Sequence, residues 1–99
     1  MSVEYIEVGR VCVSRAGHDK GALYVVHETL ADGYVMLVDG TRRPLNNPKK
    51  KKVKHIKGTP YVLDGLAEKF SGKKIAFDFE IAKALDEIRQ DITMKGKEG

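Results

Sequence analysis

"GRVCVSRAGHDKGALYVV", Gly9 to Val26, places two valine-rich runs on either side of a loop that holds two glycines. Ile6 and Val8 sit on one alternation phase, and Val11 and Val13 sit on the other. Gly9 marks the change of phase, where a bulge or sharp bend costs least. On this pattern Val11 and Val13 point into a barrel while Arg10 and Arg15 stay outside. Gly17 and Gly21 let the loop turn tightly and bring its backbone N–H groups toward an anion, with the Lys20 charge beside them.

Downstream the same grammar continues. "ALYVVHETL" and "YVMLV" are apolar and rich in β-branched residues, and the Asp32-Gly33 between them is a hairpin signal. Asp39-Gly40 repeats that signal, so "TRRPL" is expected as a further short strand and "KKVKHIK" as the last. The spacing of three between Val53 and Ile56 breaks alternation and predicts a bulge or strand end there. Four or five short strands in under 60 residues suggest a small β-barrel.

After Gly58 the pattern changes. Leu63, Leu66 and Phe70 are spaced for a short helical turn. "DFEIAKALDEIRQDITM" predicts a helix, with Ile81, Ala84, Leu85, Ile88 and Ile92 on one stripe. Asp78 is expected as its N-cap. A single apolar stripe needs a partner, and the barrel is the one within the chain. The expected organisation is therefore mostly β with C-terminal α. A barrel over residues 1–58 is followed by a helical extension of the same domain over 59–99, with "KGKEG" frayed.

Charge is segregated along the 99 residues. The net charge is +4, yet residues 40–57 hold eight cations and no acid: Arg42, Arg43, Lys49, Lys50, Lys51, Lys52, Lys54 and Lys57. The segments on either side are slightly acidic. Such a block attracts polyanions. "PKKKKVK" also has the form of a nuclear import address or a solvated charge run. Val53 and Ile56 argue that it leads into a strand instead.

Several chemistries lack their residues. Cys12 is the lone cysteine, which excludes an internal disulfide and a Cys-rich metal site, and it is expected to be inert. His18, His27 and His55 come from separate segments, so no metal site is expected. His27-Glu28 is not a zincin motif, because Ala31 stands where the second His belongs. "AGHDKG" has three residues between its glycines and then Ala22, so it is not a nucleotide-hydrolysing P-loop. There is no nucleophile–base–orienter set, and neither an enzyme nor a cofactor is expected. Apolar runs reach only five residues, as in Tyr34–Val38, and the N-terminus lacks a secretory pattern. A cytoplasmic, monomeric protein without membrane attachment is expected.

Residues 9–26 resemble the KOW motif of ribosomal proteins and transcription elongation factors, at Gly9, Val11, Val13, Gly17, Asp19, Lys20 and Gly21. Tyr24 stands where the generic motif has a further glycine. The ordered set "GRVCV", "AGHDKG", "YVMLVDG" and "KVKHI" is most similar to the large-subunit ribosomal protein family of the fourteen-e type and its bacterial KOW-domain relatives, over residues 6–57. Lys52 occupies a position that is usually Asn in that family. The resemblance implies an SH3-like barrel that binds RNA, with ribosomal RNA the expected partner and a ribosomal subunit or ribosomal proteins as its setting. The expected contacts are Arg15, Gly17, His18, Lys20, Gly21, Arg42, Arg43, Lys49, Lys50, Lys51, Lys52 and Lys54. The other reading is a protein-interaction adapter of the translation or transcription machinery that uses the barrel and the free helix face. Peripheral binding to an anionic membrane ranks last, because no basic amphipathic helix accompanies the lysines.

Overall fold

In a computed structural model, residues 6–72 and 74–98 are described, with side chains described as far as Ile92. Five strands, β1 (Arg10–Ser14), β2 (Leu23–Thr29), β3 (Tyr34–Val38), β4 (Lys49–Lys52) and β5 (Ile56–Val62), precede two helices, α1 (Asp64–Ser71) and α2 (Asp78–Glu98). The strands form one antiparallel sheet in the order β4-β3-β2-β1-β5. The first four make a meander, and β5 returns to pair with β1. Asp32-Gly33 falls in a 3-10 turn between β2 and β3, with Asp32 itself at φ 62°. The sequence places the β4–β5 break correctly, since Val53–His55 forms a second 3-10 turn. The frayed end expected at "KGKEG" falls beyond the described side chains, and Gly99 lies outside the described residues.

Both faces of the sheet are covered. Val11, Leu23, Val25 and Val38 pack under the helices with Leu66, Ile81, Leu85 and Ile88, and Val13 lies against the same cluster. The opposite face carries Cys12, Tyr24, Val26, Val35, Leu37 and Ile56. Val11 and Val13 thus lie on the face under the helices, and Cys12 lies on the opposite one. A central strand buried on both sides shows no apolar–polar alternation, so its parity is not readable from sequence. Burial pushes the Cys12 thiol up to about 12, against a smaller opposing effect of the Lys51 charge. An inert thiol follows.

"TRRPL" is not a strand. Asp39 Oδ1 accepts hydrogen bonds from the Thr41 N–H (2.9 Å), the Thr41 hydroxyl (3.3 Å) and the Arg43 N–H (2.8 Å). A side chain that gathers local N–H groups competes with a ladder, and Pro44 has no donor to offer one. Instead, the next strand is formed by the lysine run. β5 continues past Gly58 to Val62, and Pro60 is tolerated because β5 is the last strand in the sheet order.

The α2 stripe behaves as its spacing predicts for about two turns. Ile81, Leu85 and Ile88 are buried, whereas Ile92 is 39% exposed. The start of the helix is built differently from expectation. Phe77 holds the N-cap position, and the Glu80 carboxylate reaches back to its N–H (3.1 Å) as in a capping box. The hydrogen bond from Lys69 to Glu80 (2.6 Å) holds that carboxyl below its usual range. Asp78 is occupied elsewhere, with its Oδ1 accepting from the Leu45 N–H at 2.7 Å.

Gly40 shows how closely α2 docks. Its φ is +81°, and a Cβ there would collide with the Asp78 carbonyl oxygen and the Ala82 backbone nitrogen. Gly33 has a similar φ of +77° but open space around the corresponding position. Gly33→Ala is therefore expected to cost only the backbone strain, about 1 kcal/mol. Gly40→Ala should cost clearly more, on the order of 2–3 kcal/mol, because the helix must also shift. Parallel urea unfolding of the two variants measures the docking contribution as their difference. Equal costs would mean that α2 does not sit on this turn.

Candidate nucleic-acid interface

The four lysines of β4 divide by strand geometry. Successive side chains of a strand point to opposite faces. Lys49 and Lys51 lie opposite Leu37 and Val35 and share their inward face. Lys50 and Lys52 lie opposite Met36 and Tyr34 and share the outward one, where both ammonium groups sit over the Tyr34 ring, 4.7 and 5.7 Å from its centroid.

The inward pair meets Asp19 of the glycine loop. Lys51 Nζ donates to Ser14 Oγ (2.6 Å), to the Ala16 carbonyl (2.9 Å) and to Asp19 Oδ1 (2.7 Å). An ammonium has three donors, and all three are used. Lys49 Nζ donates to Asp19 Oδ2 at 2.8 Å. The Ser14 and Tyr24 hydroxyls add bonds to Asp19, each at 2.8 Å. Burial alone would raise the Asp19 carboxyl, but bonds from Lys49, Lys51, Ser14 and Tyr24 outweigh it and hold the group well below the usual carboxylate range. The Tyr24 phenol is raised in turn, by burial first and then by its bond to the Asp19 carboxylate. Tyr24 is the residue that departs from the generic motif, and here it completes this cluster.

This arrangement corrects two expected contacts. Lys51 is buried and fully bonded, so its ammonium is not presented to a phosphate. It pins the glycine loop to β4, which β3 and β2 separate from β1 in the sheet. Lys49 is half-buried and shares Asp19, although it still borders a cleft. The loop's N–H groups are partly committed as well. Those of Lys20 and Gly21 bond back to the Gly17 and Ser14 carbonyls, at 3.3 and 2.9 Å. Gly17 and Gly21, at φ +86° and +92°, shape the loop through their left-handed backbone.

The cleft has a volume of about 650 Å³. His18, Lys20, Arg42, Arg43, Asn47 and Lys49 line it together with Tyr24 and the acids Asp19 and Asp39. Arg15 and Lys54 are exposed away from it. The Arg15 N–H bonds the His55 carbonyl at 2.8 Å, which keeps them near the β4–β5 turn. Among the described residues Asp19 is the one acid paired with a cation of the 40–57 block. Of the remaining cations, Lys50 and Lys52 are exposed on the outer side of β4, Arg42 is exposed and Arg43 half-buried at the cleft, Lys54 is exposed at the turn, and Lys57 is exposed on β5. Sequence reasoning missed Ser14, Tyr24, Asn47 and Tyr34. Only the alternation rule applied to "KKKK" could have separated the inward lysines, and only once the run was taken as a strand. Among the described residues no group of three or more His, Cys, Asp or Glu could hold a metal ion. No described helix is long and apolar enough to cross a membrane. No family model matches the chain.

Proposed function

We propose that the protein is a non-catalytic RNA-binding protein of the cytoplasm, built on a KOW-type, SH3-like barrel, that holds ribosomal or ribosome-associated structured RNA. The strand order, with β5 returning to β1 after a 3-10 turn, supports the barrel reading. One observation carries the function. After Asp19 has taken up Lys49 and Lys51, six cations remain: Lys20, Arg42 and Arg43 line the cleft, Lys50 and Lys52 lie on the outward face of β4, and Lys54 is exposed at the β4–β5 turn. Lysines and arginines arrayed on an edge and a cleft favour phosphate contact and shape over base-by-base reading. The adapter reading uses the barrel and the helix face, and Ile81, Leu85 and Ile88 of that face are buried in the chain's own core.

The test is the salt dependence of binding to a labelled, structured ribosomal RNA fragment, measured by fluorescence anisotropy. About six phosphate contacts predict a log–log slope of about −4, at roughly −0.7 per contact on a single strand. A slope near zero, or no binding at low salt, would remove the RNA reading. Co-sedimentation with ribosomal subunits at the same salt then separates ribosomal RNA from other structured RNA.

A further inference from the structure

The start of α2 displays an aromatic pair that the phosphate edge does not use. Phe77 and Phe79 are 52% and 69% exposed, and Ile75 just before them is 75% exposed. The two rings are stacked, with centroids 5.6 Å apart and planes 21° from parallel. They take no part in docking the helix, which is done by Ile81, Leu85 and Ile88.

Their position matters. Asp78, between the two rings, accepts from the Leu45 N–H, and Gly40 packs directly on the Asp78 carbonyl. The aromatic pair is thus fixed to both ends of the 40–45 loop. That loop carries Arg42 and Arg43, the cations of the cleft wall.

We propose that Phe77 and Phe79 are a stacking platform for an unpaired base of the bound RNA, with the neighbouring phosphates held by Arg42 and Arg43. This rests on the RNA reading and adds to it a preference for an unpaired nucleotide. Two observations favour a base over a protein partner. A stable protein interface takes roughly 20–30 residues a side, and this patch offers three large apolar side chains. Ile92 is no extension of it, being about 20 Å further along the helix at 1.5 Å per residue. A base, by contrast, needs only one ring face, and base–aromatic stacking works without regard to base identity. Arg42 and Arg43, on the loop between the two contacts to Asp78, supply charge complementary to the phosphate that a nucleotide brings with its base.

The test compares wild type with a Phe77→Leu, Phe79→Leu double variant, which keeps apolar bulk and loses the ring faces. Three probes are used: an unpaired oligoribonucleotide, a duplex of equal length, and a strand with abasic sites. The double variant is expected to bind the unpaired strand about tenfold or more weakly, as loss of stacking implies. Its affinity for the duplex and the abasic strand, and its salt slope, should match wild type. Circular dichroism confirms folding, which these exposed positions should leave unchanged. Unpaired-strand affinity within about twofold of wild type overturns the platform while leaving RNA binding in place, and it is the result expected if the patch docks a protein. Equal loss on all three probes also overturns it. A wild-type protein that binds none of the three probes overturns the RNA reading itself.

Discussion

Asp19→Ala is expected to destabilise the fold by about 3–5 kcal/mol, because it leaves the buried Lys51 ammonium without its counter-charge. A domain of this size has only about 5–15 kcal/mol in total. The melting temperature should therefore fall by roughly 12–40 °C, at about 4–8 °C per kcal/mol for a domain of this length. The origin is specific, so a second substitution should relieve it. Lys51→Met in the Asp19→Ala background removes the stranded charge and should recover much of the loss. Lys51→Met alone should cost less than Asp19→Ala, since apolar replacement of a buried charge is often tolerated while breaking a pair is not. Additive losses would show that Asp19 and Lys51 are not coupled.

The same residue predicts an acid dependence. The Asp19 carboxyl is held below its usual range in the fold. Its stabilising effect is therefore complete above the unfolded value of about 3.9 and is lost as pH falls below it toward the folded value. Glu7, lowered by its bond to Arg10, and Glu80, lowered by its bond to Lys69, act in the same direction. Asp19→Asn should be less stable at neutral pH and should lose less between pH 5 and pH 2. Parallel acid slopes for wild type and variant would contradict the assignment.

Leu85→Ala carries the next largest effect, about 2–5 kcal/mol from the cavity left between α2 and the sheet. Leu85 is 1% exposed and belongs to the cluster that joins β1, β2 and β3 to both helices. Ile92→Ala, at a 39% exposed position on the same stripe, should cost under about 1 kcal/mol. Chemical denaturation of both variants measures the contrast. Similar small costs would mean that the helix face is not committed to its own sheet, and the adapter reading would regain its surface.

These residues also show what the sequence made legible. The α2 stripe, the bend at Gly9 and the Asp32-Gly33 turn follow from local rules, and the structure has each of them. Gly9 has φ +92° and packs against Ala67 of α1. The lysine run was less readable. Four lysines have poor strand propensity alone, and β4 exists because β3 pairs with it and Asp19 receives its inward members. That contact joins residues 30 and 32 positions apart, from a loop to a strand, and no local pattern signals it. The parity of β1 was hidden for a different reason, since both of its faces are apolar. The Phe77–Phe79 pair belongs to a helix that reads as core-facing, and its outward aromatics stand out only once the packed face is known.

The alternation of β4 is the centre of this account, and a two-by-two comparison tests it. Lys50→Gln, Lys52→Gln removes the outward cations, and Lys51→Met removes the inward one. The melting temperature and the salt slope of RNA binding are measured for each, below the melting transition. The outward double variant should keep its stability, since exposed lysines contribute little, and its slope should flatten by about 1.4, near 0.7 per lost contact. Lys51→Met should melt earlier and keep the wild-type slope. A Lys51→Met protein that stays as stable as wild type and loses as much slope as each outward lysine would contradict the division of the run into a strut and a phosphate edge.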